Sequence, residues 1–128
     1  RLATELGLEG DVRFLGAVGD VPRLLHAVDA FVMPSLYEGF GVAAVEALAS
    51  GLPAVFADVP GLCDFKSRFA DIAYCEPTAE SIAAALQRLM GLPSAERARI
   101  ARTQADIARR HYGIERGVQE YVRLYRKS

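Results

Sequence analysis

Two carboxylates, Glu38 and Glu46, stand eight positions apart on either side of a glycine turn and the start of an apolar helix. Gly39 and Gly41 flank Phe40, so the backbone there can turn sharply and come close to a ligand. A helix opening at about Gly41 points its first free N–H groups, those of Gly41 through Ala44, away from its body. Those donors and the helix dipole together favour a phosphate. Glu46 lies about five residues into the helix, or roughly 7 Å along its axis, and helical side chains lean toward the N-terminus. An ionised carboxylate only accepts hydrogen bonds, and a sugar diol offers two donors. The pair therefore suits a phosphorylated, hydroxylated ligand such as a nucleotide with its ribose.

Plainer readings of the same residues stay open. A glycine pair before an Ala-rich helix is a common turn in α/β domains. Glu46 has almost only Ala, Val and Leu around it, so it is expected to be largely buried, where a charge is costly unless paired. A structural salt bridge to an arginine would meet that need. Glu38 suits a turn near a helix start, where acids are mildly favoured.

The elements that must position these residues alternate. Ala30–Pro34, Pro53–Ala57 and Ile72–Cys75 read as short apolar strands, with Val12–Gly16 as a fourth. Arg1 to Gly7 reads as the last turns of a helix. Asp20 is a plausible N-cap before Pro22 and a short helix. The helix from about Gly41 to Ser50 stops at Gly51. Thr78 caps a helix to Met90, Ser94 caps a long one to about Tyr112, and a last helix runs from about Ile114 to Arg126. A loop from Val59 to Asp71 holds a helical turn around Asp64–Arg68. Wholly apolar strands between helices indicate a parallel sheet covered on both faces, and right-handed crossovers make it a doubly wound α/β domain. Ligands bind such sheets beyond the carboxyl ends of the strands, where the Ser35–Gly41 loop lies.

With 128 residues and a net charge of −1, the chain suits one domain able to bury its own core. Residues 1–95 carry 6 basic and 12 acidic side chains, and residues 96–128 carry 9 and 4. The basic end reads either as solvated helices or as a surface attracted to an anionic membrane or acidic partner. It has no nucleic-acid recognition motif. Cys63 and Cys75 read as buried free thiols of a reducing compartment. No apolar run is long enough to span a bilayer and no leader opens the chain, so a cytoplasmic location is expected. His26 reads as a core residue, His111 as solvated, and Asp58 and Asp64 as turn residues. No zinc spacing, Walker motif or Ser/His/Asp order appears.

The stretch Glu38-Gly39-Phe40-Gly41, with Glu46 and then Gly51-Leu52-Pro53, resembles the E-x7-E signature of family-4 (group 1) retaining glycosyltransferases. Val12–Gly16, Val21–Leu25 and Ala30–Ser35 follow the same family's order, so the resemblance is good over about residues 2–57 and looser beyond. It implies a GT-B fold, two Rossmann-like domains across a cleft. This chain would then be a single partial nucleotide-sugar-binding domain over 1–128, with a helical extension from about 93 to 128. It further implies a UDP- or GDP-linked sugar donor, retention at the anomeric carbon, and no metal or other cofactor. Carried over by position, Glu38 is the catalytic residue touching the transferred sugar. Gly39, Phe40, Gly41 and Val42 meet the sugar and diphosphate through their backbone, and Glu46 holds the ribose hydroxyls.

The chain departs from the family at two places. The basic Arg/Lys pair that balances the diphosphate would fall before residue 1, as would the acceptor domain. Pro60-Gly61-Leu62-Cys63-Asp64 stands where the family often has Gly-Gly followed by Glu. The chain alone is thus expected to be inactive. Relatives that act on lipid-linked or surface polysaccharide acceptors make peripheral attachment at the inner face of the membrane a further expectation. A nucleotide-sugar epimerase of the same fold and a non-catalytic interaction domain are the alternatives.

Overall fold

The computed structural model describes residues 1–126; Lys127 and Ser128, the end of the expected helical extension, lie outside the described residues. The elements are α1 (Leu2–Glu5), α2 (Val21–Leu25), β1 (Phe31–Met33), α3 (Val42–Ala49), β2 (Ala54–Ala57), a 3-10 turn (Cys63–Ser67), β3 (Ala73–Cys75), α4 (Ala79–Gly91), α5 (Ser94–Tyr112) and α6 (Ile114–Tyr125). The three strands form a parallel sheet in the order β1-β2-β3. Phe31 pairs with Ala54, and Val55 with Ala73.

Strand side chains alternate between faces, and each face has its own core. Phe31, Met33, Phe56 and Tyr74 join Ala44 and Leu48 of α3, Ala108 of α5, and Leu62, Phe65 and Phe69 of the connecting loop. Val32, Val55, Ala73 and Cys75 join Ala85 and Leu89 of α4 on the other face. Every residue of β2 is buried, as expected of a central parallel strand. Thr78 caps α4 by accepting from the Ser81 N–H at 3.3 Å. Asp20 caps α2 by accepting from the Arg23 N–H at 3.1 Å. α5 packs lengthwise on α3 and buries Ile100, Gln104, Ala105 and Ala108. Among the described residues no helix is long and apolar enough to cross a membrane.

Four local expectations are corrected. Val12–Gly16 forms no strand. Val12 instead closes a turn onto the Leu8 carbonyl, and Phe14 is 84% exposed, so the segment buries too little to hold a ladder. Ser94 makes no cap; Pro93 occupies that position and no side chain bonds there. His26 is exposed, because it ends the single short turn of α2 rather than facing the core. Cys63 is half-buried, and only Cys75 is buried; both are free.

Candidate functional site

Pro34 follows β1 and ends it, since it has no N–H to donate. The chain then loops over the carboxyl end of the sheet and enters α3. Leu36 and Tyr37 are exposed. Glu38 is half-buried, and its Oε1 accepts from the Gly39 N–H at 3.1 Å. Gly41 is the buried N-cap of α3 with φ of +76°, a left-handed conformation that only glycine adopts cheaply. A Cβ there would stand 3.0 Å from Leu62 Cδ2. Among the described residues no side chain caps α3, so its first N–H groups keep no side-chain acceptor there.

The segment after β2 forms the second wall. Gly61, with φ of +87°, lies so close to the first loop that a Cβ would stand 2.0 Å from the Glu38 carbonyl oxygen and 2.9 Å from that of Gly39. Two loops leaving neighbouring strands thus touch through their backbones beneath Glu38. Phe40 turns back toward the protein, its ring 5.9 Å from that of Phe65 and 5.7 Å from that of Tyr112, centroid to centroid. Its side chain anchors the loop whose backbone leads into α3.

Glu46 does not lie where its neighbours' composition suggests. It is exposed, and among the described residues no hydrogen bond or ion pair holds its carboxylate; the arginine partner expected for a buried charge is absent because the charge is not buried. Helical phase is the reason. Ala44, Ala47 and Leu48 are the buried residues of α3, spaced to form one inward stripe. Val42, Ala43 and Glu46 occupy the other side, three and four positions apart, and form one open face running from the helix start. The predicted site residues are thereby brought together: Glu38 to Val42 line the helix entrance, and Glu46 stands one turn farther along.

Other titratable groups nearby are engaged. Asp58, after β2, pairs with Lys66 Nζ at 2.5 Å, and Lys66 lies over the Tyr74 ring at 5.0 Å. Burial, with Asp58 next in weight, pushes the Tyr74 phenol well above its ordinary value, and among the described residues its hydroxyl has no hydrogen-bond partner. Burial likewise raises the Cys75 thiol. His111 is exposed, as expected, with Nδ1 2.9 Å from Arg116 Nη1. Asp64 is an exposed turn residue. Among the described residues no three His, Cys, Asp or Glu side chains converge as a metal site would require. Sequence reasoning marked Gly61 and Leu62 only as part of the loop that departs from the family pattern, without their contacts to Glu38 and Gly41, and gave Tyr112 no part in the site. Pro60-Gly61 signals a turn, but nothing local says which backbone it meets.

The family model for glycosyl transferases group 1 matches residues 1–106. The chain belongs to the group 1 glycosyltransferases. Among curated relatives, it is 39% identical over 67 residues to the Escherichia coli UDP-Gal:alpha-D-GlcNAc-diphosphoundecaprenol alpha-1,3-galactosyltransferase, covering 52% of this chain and 17% of that protein. It is 48% identical over 64 residues to the D-inositol 3-phosphate glycosyltransferase of Mycobacterium marinum, covering 48% of this chain and 14% of that one. The sucrose-phosphate synthase of Thermosynechococcus elongatus superposes with a TM-score of 0.87 at 27% identity, over 98% of this chain and 32% of its own. Anabaena HepE, solved in complex with UDP and glucose, superposes with a TM-score of 0.86 at 27% identity, over 98% of this chain and 35% of its own. This group 1 glycosyltransferase chain therefore has the α/β fold of the C-terminal GT-B domain, and spans about a third of the length of these structural relatives.

Proposed function

We propose that the protein moves a sugar from a UDP- or GDP-linked donor to an acceptor with retention at the anomeric carbon, and that this chain is the part that binds the donor. One observation carries the reading: the uncapped start of α3 opens beside Glu38, and the open face of the same helix leads from there to Glu46, which has no partner among the described residues. In this reading the backbone from Gly39 to Val42 meets the sugar and diphosphate, and the free N–H groups at the start of α3 receive the phosphates, as helix N-termini receive anions. Glu46 accepts from the ribose hydroxyls. Glu38 touches the transferred sugar and stabilises charge developing in the transition state, so it is the catalytic residue. That HepE was solved with UDP-glucose supports a UDP-linked donor. No metal or other cofactor enters this scheme.

The test is donor turnover by the protein. A panel of UDP- and GDP-sugars is incubated with and without acceptor sugars, and released nucleoside diphosphate is measured with the anomeric configuration of the product. The reading expects acceptor-dependent release with retention, unchanged by EDTA, and lost in Glu38→Ala. Interconversion of the donor sugar without an acceptor would mark an epimerase instead. Wild-type function in both Glu38→Ala and Glu46→Ala would mark a non-catalytic interaction domain. Location at the inner face of the membrane, through α6 and the arginines of α5, belongs to the same proposal. Cosedimentation with anionic vesicles at low salt and release at high salt would support it, and no binding at low salt would remove it.

A further inference from the structure

Helix α5 grips α3 at both ends. Arg109 donates from Nε and Nη2 to the Ala49 carbonyl at 3.1 and 2.8 Å, on the last residue of α3. Three positions on, Tyr112 lies edge-on to Phe40, just ahead of the Gly41 cap. That spacing puts both grips on one side of α5. Tyr112 is itself fixed from several directions. It stacks on Phe69 at 6.3 Å with an 11° interplanar angle, and meets Phe65 edge-on at 5.7 Å. Its hydroxyl accepts from Arg68 Nη1 at 3.3 Å. α5 ends immediately afterward at Gly113, where a Cβ would stand 2.5 Å from the Arg109 carbonyl oxygen. The loop being held contains two glycines around Phe40, and a Cβ added at Gly39 would meet nothing within 4 Å. Gly61 meets its backbone at Glu38 and Gly39, and the Phe40 ring is its side-chain anchor.

We propose that Tyr112 is a positioning residue for the donor loop. By seating the Phe40 ring it holds Glu38 and the Gly39–Val42 backbone in the geometry that receives a nucleotide-sugar, while Arg109 fixes the far end of the same helix. The donor-site reading above supplies the purpose; the anchoring itself is independent of it. Ordering the loop in advance removes an entropy cost that binding would otherwise carry.

Two measurements test this on Tyr112→Ala, Tyr112→Phe and, as a control for general loosening, Leu89→Ala in the α4 core on the opposite face of the sheet. The first is amide hydrogen exchange of residues 39–42 in the free protein. The second is calorimetric titration with UDP-glucose and GDP-mannose. Tyr112→Ala should speed exchange about tenfold and weaken the donor that binds about fivefold. Tyr112→Phe should restore both, and Leu89→Ala should move neither. Wild-type exchange and affinity in Tyr112→Ala, or equal effects in Leu89→Ala, would overturn the proposal. Faster exchange in Tyr112→Ala, with neither donor bound by any form, would overturn the donor-site reading and the purpose assigned to Tyr112, leaving only the anchor.

Discussion

Gly61 and Glu38 meet backbone to backbone: a Cβ on Gly61 would stand 2.0 Å from the Glu38 carbonyl oxygen and 2.8 Å from its carbon. The obstacle is main chain, which cannot swing aside as a side chain would. Gly61→Ala should therefore push the two loops apart and displace Glu38. The positive φ of Gly61 alone costs alanine about 1–2 kcal/mol, and the clash adds to it. Chemical denaturation should show at least that loss, with donor binding weakened beyond it. A Gly61→Ala protein as stable as wild type would show that the loops do not touch as described.

Gln104 is on the buried side of α5, 1% exposed, and among the described residues neither its amide oxygen nor its nitrogen has a hydrogen-bond partner. A buried amide without partners costs about 1–3 kcal/mol. Methionine has nearly the same length and no such need. Gln104→Met should raise stability by about 1 kcal/mol, read as a rise of about 4 °C in Tm. A fall in Tm would mean that the amide is satisfied in the folded protein.

Tyr74 supplies a pH dependence. Its phenol is held above the ordinary value of 10.0 by burial first and by the Asp58 charge second. The folded protein thus retains this proton more tightly than the unfolded chain. The associated stability is present below the ordinary phenol value and is lost as pH rises through the folded one. Denaturation midpoints above pH 10 should fall less steeply in Tyr74→Phe than in wild type. Equal slopes would show that Tyr74 ionises freely in the folded state.

Much of this arrangement is legible in the residues themselves. The three paired strands and the helices between them announce themselves through short apolar runs bounded by Pro, Gly and capping residues. The Gly41 cap and the Glu38–Glu46 spacing locate the helix entrance. What fails is instructive. Glu46 was expected inside because its neighbours are apolar, but Ala44, Ala47 and Leu48 already supply the inward stripe; phase decides burial where composition does not. Val12–Gly16 has the composition of a strand, yet a strand needs an edge to pair with and a core to face. The contacts of Gly61 with Glu38 and of Tyr112 with Phe40 join residues far apart in the chain, and no local pattern encodes them.

In the proposed donor site the open face of α3 receives a nucleotide, with the ribose on Glu46. The most direct test is titration of the protein with UDP, GDP and ADP, followed by thermal shift, for wild type and Glu46→Ala. Saturation at about 100 times the dissociation constant stabilises a protein by roughly 2.7 kcal/mol. Because Glu46 is exposed and has no partner among the described residues, its replacement should leave the unliganded Tm close to wild type. A shift with one nucleotide that largely disappears in Glu46→Ala is the expected result. An equal shift in both proteins, or none with any nucleotide in wild type, would contradict it.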